Sequence, residues 1–431
     1  MSEMHAHSVA FVRETSIPPS PPPAAETGAV KWVRENLFSS VTNSILTLLA
    51  LLAVYSILSL ILPWLLNGIW NTGSRRECLD QLQGQVGGCF SVLTERWHQL
   101  IFGRYPIDSY WRPTLAFVLM FVAIAPVLFS ALPRKMLIWT GLFPFVAYWL
   151  VWGGSILSPL AVLIGFVIGY LVYRKLVDQS FAMGFIGGLI ATVLFWWVSG
   201  LILGEDPPRV LALTPVESRE IGGFMLNMIL GVTCVSLSLP LGIALALGRQ
   251  SKMPIIRIFS VIFIEFIRGV PLITLLFVAN VVLAYFLPPN ANFDIIVRVM
   301  IMITLFAAAY IAEVIRGGLA ALPRGQYEAA DSLGLDYSQA MRLIILPQAL
   351  KISIPGIVNV AVGLFKDTTL VSVISMFDLV GIIRGPIVSV TEWQGIYWEL
   401  YGFAALLFFV CCYGISQYSQ WLERQLQTDH R

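Results

Sequence analysis

Seven side chains carry charge or a polar group into apolar surroundings: Glu265, Arg268, Glu313, Arg316, Lys366, Asp367 and Thr368. Glu265 and Arg268 stand three residues apart, as do Glu313 and Arg316, a spacing that puts both members of each pair on one helix face. Lys366 and Asp367 are adjacent, so on a helix they point in different directions and need other partners. A charge at mid-bilayer costs about 2.5–3.5 kcal/mol. Such residues therefore line a path where a charged or zwitterionic solute meets complementary charge, or they pair to stabilise helix ends and interfaces. The two spaced pairs lie near a membrane boundary and favour the pairing role. For Lys366 to Thr368 both roles stay open, because a break inside a span frees backbone groups to line a cavity. No arrangement suited to covalent or acid–base catalysis is expected. The four histidines, His5, His7, His98 and His430, show no ligand spacing, so no metal site is expected either.

The elements that must hold these residues are membrane spans. Of 431 residues, 57% are hydrophobic and 12% charged, about half the charge of a soluble domain. The apolar residues fall in runs of about 20, the length that crosses about 30 Å of hydrocarbon. The expected fold is an all-α polytopic membrane protein of about ten transmembrane helices. They are placed near Ser44–Leu66, Pro113–Leu132, Met136–Trp152, Ile156–Tyr173, Phe181–Leu203, Phe224–Leu247, Phe259–Leu287, Phe293–Arg316, Ile354–Met376 and Ile396–Tyr418. The net charge of +2 argues against nucleic acid or another polyanion as partner; the bilayer itself is the expected surrounding.

Composition divides the chain into a polar, Pro-rich lead over 1–40, five spans over 41–203 with a long loop near 67–112, a linker over 204–222, a second group of five spans over 223–420, and a tail over 421–431. Lys31–Phe38 has the pattern of a short interfacial helix. The first apolar run is too long for a signal peptide, so the lead is expected to stay in the cytoplasm. With both termini inside, the inner loops collect Arg134, Lys135, Arg174, Lys175, Arg249, Lys252 and Arg257, as the positive-inside rule requires. The outer loop near 67–112 dissents, with Arg75, Arg76, Arg96, Arg104 and Arg112. It also holds Cys78 and Cys89, which on this orientation face an oxidising compartment and are disulfide candidates. Cys234, Cys411 and Cys412 lie in apolar runs and read as buried hydrophobes.

The intramembrane charge belongs almost entirely to the second half, as does a long inner loop from Arg316 to Pro347. Gly317 and Gly318 are expected to end the eighth span. A short helix over Tyr327–Leu333 should break at Gly334, and Asp336 with Gln339 should cap a second helix that Pro347 limits. Ala329 and Ala330 offer a small-faced surface on which another protein's backbone could pack. Glu328, Ala329, Ala330, Gly334, Ile344, Leu346 and Pro347 resemble the EAA motif of ABC importer permeases. In that family the loop forms the coupling helix that seats in the ATPase subunit. Phe266–Leu272, Tyr310–Gly318, Pro347–Leu350 and Lys366–Leu370 resemble the polar amino acid branch (histidine, glutamine and general L-amino acid permeases), with Val270 where Thr is usual. The added N-terminal spans and Phe102–Pro106 resemble the larger M-type subunit of general L-amino acid importers.

The resemblance implies a five-helix type I permease core over 223–420 in the bacterial inner membrane. It implies a second, different permease subunit, two copies of an ATPase that uses ATP and Mg, and a periplasmic amino-acid-binding protein. The chain contains no Gly-Lys pair and so no P-loop; it is expected to bind no cofactor and to act as a transport subunit, not an enzyme. The alternative is a secondary amino acid transporter driven by an ion gradient, with which the interrupted ninth span is compatible. Against it, the two five-span halves show no inverted repeat.

Overall fold

The structure, a computed structural model, describes residues 28–129, 131–204, 208, 210–282, 285 and 294–427. Residues 1–27 of the proline-rich lead with His5 and His7, His430, the end of the seventh expected span and the first residue of the eighth lie outside these. Among the described residues nine helices are long and apolar enough to cross a membrane, or ten with one bent pair counted as a span. Regular secondary structure is helical throughout them, with three isolated β-bridges.

The chain divides into two bodies. The first comprises residues up to Ile69 together with Leu82–Gly88. Within it α1 (Gly28–Asn36) takes the place of the helix expected at Lys31–Phe38. Ser40 caps α2 (Val41–Leu66), its hydroxyl accepting from Asn43 N at 3.1 Å. None of the 26 residues of α2 is buried, as suits a helix whose apolar sides all meet lipid. At its far end Gly88 N donates to Trp64 O at 2.8 Å and Asn67 Nδ2 to Val86 O at 3.0 Å, which closes the chain back on the helix end.

The second body holds the rest. Its first part contains α3 (Arg75–Leu82, whose last residue belongs to the first body), α4 (Ser91–Phe102), α5 (Trp111–Leu128), α6 (Leu137–Trp152), α7 (Leu157–Leu176) and α8 (Phe181–Leu203). Helices α5 and α6 pack as a hairpin, and so do α7 and α8. The α7–α8 contact is made by small residues: a Cβ on Gly169 would meet Gly188 O at 2.8 Å, so only glycine lets these backbones approach this closely.

The core follows: α9 (Gly223–Gln250), α10 (Pro254–Gly269), α11 (Leu272–Phe277), α12 (Ile295–Ala320), α13 (Arg324–Ser332), α14 (Tyr337–Ala340), α15 (Leu346–Asp367), α16 (Leu379–Ile382) and α17 (Trp398–Gln427). Helix α12 is its axis. Ile296, Val299, Ile303 and Ala307 pack against Leu226, Leu230 and Cys234 of α9, while Ile311, Ala312 and Ile315 meet Ala246, Ile345 and Ala349 further along.

Three expectations are corrected here. The seventh span is not one helix: α10 and α11 are bent by 102° at Val270–Pro271, where the proline removes a backbone donor. The eighth span does not stop at Gly317 and Gly318 but runs to Ala320. Gly318 instead admits α15, since a Cβ there would lie 2.6 Å from Ala349 O. Pro347 does not limit its helix. A π-turn over Met341–Ile345 precedes it, with Leu346 N donating to Met341 O. That wider turn takes up the proline, and the helix continues to Asp367.

The segment after α8 is pinned to the helices around it. Gly154 N donates to Leu213 O at 2.9 Å and Val216 N to Trp152 O at 2.9 Å. Arg112, 1% exposed, donates from Nε to Leu150 O at 2.7 Å and from Nη1 to Thr214 O at 2.8 Å. Arg104 lies over the Phe377 ring at 4.0 Å, and Arg75 Nη1 donates to Gln394 O at 2.9 Å. Three of the arginines that make the 67–112 loop dissent from the charge rule are thus bound into the fold.

Candidate functional site

The loop between α12 and α15 is built by local rules. Pro323 opens α13. Gly334 closes it with φ +69°, Leu335 N returning to Ala330 O at 3.2 Å; a left-handed residue of this kind favours glycine. Asp336 then caps α14: its Oδ1 accepts from Gln339 N at 2.8 Å, and Gln339 Oε1 accepts from Asp336 N at 3.2 Å. Gln348 Nε2 donates to Gln326 Oε1 at 3.0 Å and holds α13 to α15. Glu328, Ala329, Gly334 and Pro347 are exposed, and Ile344 and Leu346 are half-buried. Ala330 is not part of the outer surface: it is fully buried. The apolar side chains offered outward are Leu333, Tyr337 and Leu343, each more than half exposed. Nothing lies within 4 Å of a Cβ placed on Gly334.

Next to this loop the intramembrane charges come together, in a pattern that same-helix spacing does not give. Glu313 is the centre. Its Oε1 accepts from Arg316 Nε at 2.9 Å and Nη2 at 2.6 Å, and its Oε2 lies 3.3 Å from Arg249 Nη1 and 3.8 Å from Arg268 Nη1. Glu265 turns to Arg249, at 2.8 Å, and not to Arg268. Arg268 also lies 5.5 Å from the Tyr310 ring centroid. The Glu313–Arg316 pair stands as its spacing suggests; the Glu265–Arg268 pair is replaced by partners from α9 and α12. Arg249, read in the sequence only as loop charge, proves to tie three helices. Its place in the last turn of a span was the available signal.

Lys366, Asp367 and Thr368 part company. Lys366 is exposed, Asp367 half-buried and Thr368 fully buried. Thr368 Oγ1 donates to Phe365 O at 2.7 Å and accepts from Asn227 Nδ2 at 3.0 Å. The same amide lies 3.3 Å from Asp378 Oδ2, and Asn227 Oδ1 accepts from Leu379 N at 3.1 Å. Asp378 caps α16 through Gly381 N at 2.9 Å. Burial pushes its carboxyl up to about 6, against the opposing effect of these hydrogen bonds. Asn227, Thr368 and Asp378 form a sealed polar lock at the end of α9 remote from the loop between α12 and α15. The Asp-x-x-Gly spacing before α16 was the sequence signal for Asp378; nothing marked Asn227.

At the same end Cys78 and Cys89 are joined by a disulfide, with Cα atoms 6.0 Å apart. Cys89 N donates to Glu399 Oε1 on α17 at 3.0 Å. Cys234 is buried, and Cys411 and Cys412 are half-buried. Among the described residues no group of three His, Cys, Asp or Glu side chains is placed to hold a metal.

A bundle of membrane-crossing helices, with charge gathered at one boundary beside an outward-turned helical loop, is the architecture of a transport subunit. The chain belongs to the family of binding-protein-dependent transport system inner membrane components, whose profile matches residues 238–426. It is a multi-pass membrane permease. It is 52% identical over 429 residues, 98% of this chain and 99% of the other, to the glutamate/glutamine/aspartate/asparagine transport system permease protein BztC of Rhodobacter capsulatus. It is 38% identical to the inner membrane amino-acid ABC transporter permease protein YhdY of Escherichia coli, across 96% of this chain and 97% of that one. A shorter relative, the probable glutamine ABC transporter permease protein GlnM of Bacillus subtilis, is 33% identical over 215 residues, 49% of this chain and 95% of its own. Among solved structures, an amino acid ABC transporter with histidines is 32% identical, covers 47% of this chain and 92% of its own, and has a TM-score of 0.43. The ion-gradient alternative finds no support in these relatives.

Proposed function

We propose that this chain is the larger of two different permease subunits in an ABC importer of acidic amino acids and their amides. What supports the substrate class is the end-to-end identity of 52% with a permease named for glutamate, glutamine, aspartate and asparagine. Two ATPase copies would supply the work, with ATP and Mg bound there and not in this chain. A periplasmic binding protein would deliver the solute from the side opposite the coupling loop, and both termini would lie in the cytoplasm. The loop of α13 and α14 would seat in the ATPase through Glu328, Ala329, Gly334 and the exposed Leu333, Tyr337 and Leu343. Its small, locally capped frame supports this role, because a lever must keep its shape when pushed.

The test is uptake of labelled glutamate by the complex reconstituted with its ATPase and binding protein. Unlabelled aspartate, glutamine and asparagine should compete at least tenfold better than arginine or leucine. Gly334→Asp and Glu328→Lys should leave the subunit in the membrane while abolishing ATP hydrolysis stimulated by loaded binding protein. The space around Gly334 is open, but its left-handed backbone strains aspartate as well, so the exposed Glu328→Lys separates docking from a distorted loop and Gly334→Asp is read beside it. Full stimulation in both variants would refute the coupling role, and equal competition by basic or apolar amino acids would refute the substrate class.

A further inference from the structure

We propose that the disulfide-bonded segment formed by residues 70–81 and 89–110 is a docking surface for the solute-binding protein, with Arg76, Leu79 and Asp80 on the outer side of α3 among its contacts. This rests on the importer reading above. Its first support is position. Helix α9 spans 28 residues, about 42 Å at 1.5 Å per residue. At one end Arg249 joins the charges beside the coupling loop. At the other, Gly223 N donates to Phe377 O at 2.7 Å and Gly103 forms a bridge with Ile221. The segment therefore sits across the membrane from the ATPase-facing loop, on the side where a binding-protein-dependent system receives its solute.

The second support is that the segment is fixed to the outer ends of the core. Arg75 N and Nη1 donate to Glu392 O and Gln394 O at 2.8 and 2.9 Å. Cys89 N is held by Glu399 in the first turn of α17, and Arg104 stacks on Phe377. Thr72 and Ser91 share a buried hydrogen bond of 2.7 Å across the bridge. A bound protein pressing on α3 would press on α17 and the loop before it, and a preorganised surface loses less on binding.

The third is that crossing the membrane does not need this segment. The family core lies at 238–426, so the 215-residue match to a relative 95% covered leaves no room for residues 70–110. What remains is a folded, water-side addition that also exposes Trp70, Trp97 and Ile107, and whose helix α3 carries one exposed large apolar side chain, Leu79, half exposed between Arg76 and Asp80. An apolar contact rimmed by charges of both signs is the usual make-up of a protein interface.

The test uses the whole complex in nanodiscs and titrates its own loaded binding protein against ATP hydrolysis. The wild-type complex must respond; if it does not, the importer reading itself fails. Given that response, Arg76→Glu with Leu79→Asp should raise the half-maximal binding-protein concentration at least fivefold. A photo-crosslinking amino acid at position 79 should capture the binding protein, and more so when substrate is present. An unchanged titration overturns the proposal. So does capture of lipid, capture of the second permease, or no capture at all.

Discussion

Glu313 and Arg249 make a quantitative comparison possible, because contact number and charge balance both put the greater loss at Glu313. Arg249 touches two carboxylates and Glu313 touches three guanidinium groups. Three cations and two anions leave the cluster with one excess positive charge. Glu313→Gln raises that excess to two and weakens hydrogen bonds of 2.6, 2.9 and 3.3 Å. Charge-assisted bonds contribute about 1.5–3 kcal/mol each, but they are not additive here. Arg316 is also 40% exposed, which discounts its share, so the expected loss is about 2–3 kcal/mol. Arg249→Gln makes the cluster neutral. One of its partners, Glu265, is 53% exposed, and Glu313 keeps Arg268 and Arg316, so the loss should be about 1 kcal/mol. Thermal denaturation of the purified complex, followed by loss of the monodisperse peak after heating, should place Glu313→Gln clearly below Arg249→Gln. The opposite order would refute the reasoning from charge balance and from contact number alike.

Asp378 gives a pH signature. Its folded value of about 6 lies above an unfolded value of about 3.9, so its contribution to stability is fully present below about 3.9 and is lost as pH rises through about 6. Thermal stability should therefore gain on acidification from pH 7 to 5, and Asp378→Asn should remove that gain; an unaltered pH slope would exclude the carboxyl as its source. At Lys366 and Asp367, alanine variants should impair uptake more than ATPase assembly if these residues line the route, and normal transport by both would send the search to other helices.

What the sequence made legible follows the range of the forces involved. The capping box at Asp336 and Gln339 and the left-handed Gly334 depend on residues within four positions, and both stand in the structure. Gly317 and Gly318 misled because glycine serves two purposes. It ends helices, and it lets another helix come close; here Ala349 on α15 decides. The partner of Glu265 came from another helix, which i, i+3 spacing cannot announce. Arg112 looked like a loop charge because nothing near it in sequence reveals the carbonyls of Leu150 and Thr214 that hold it. The general boundary of the spans was readable from hydropathy, whereas the 102° bend at Val270–Pro271 was visible only as a proline and a long run.

The π-turn at Met341–Ile345 has a meaning for how this chain can vary. It holds one residue more than an α-helical turn, and each residue rotates the following helix by about 100°. Deleting a single residue there would keep the hydropathy and the helix content of α15 almost unchanged. It would close the wide turn to an ordinary α-turn and so leave Ala349 and Ser353 against Gly318 and Val314, whereas the same deletion past the turn, within α15, would rotate Lys366 and Asp367 by about 100°. The turn works as slack in the helix: one residue lost within these five positions is absorbed, while one lost after them re-aims every side chain that follows.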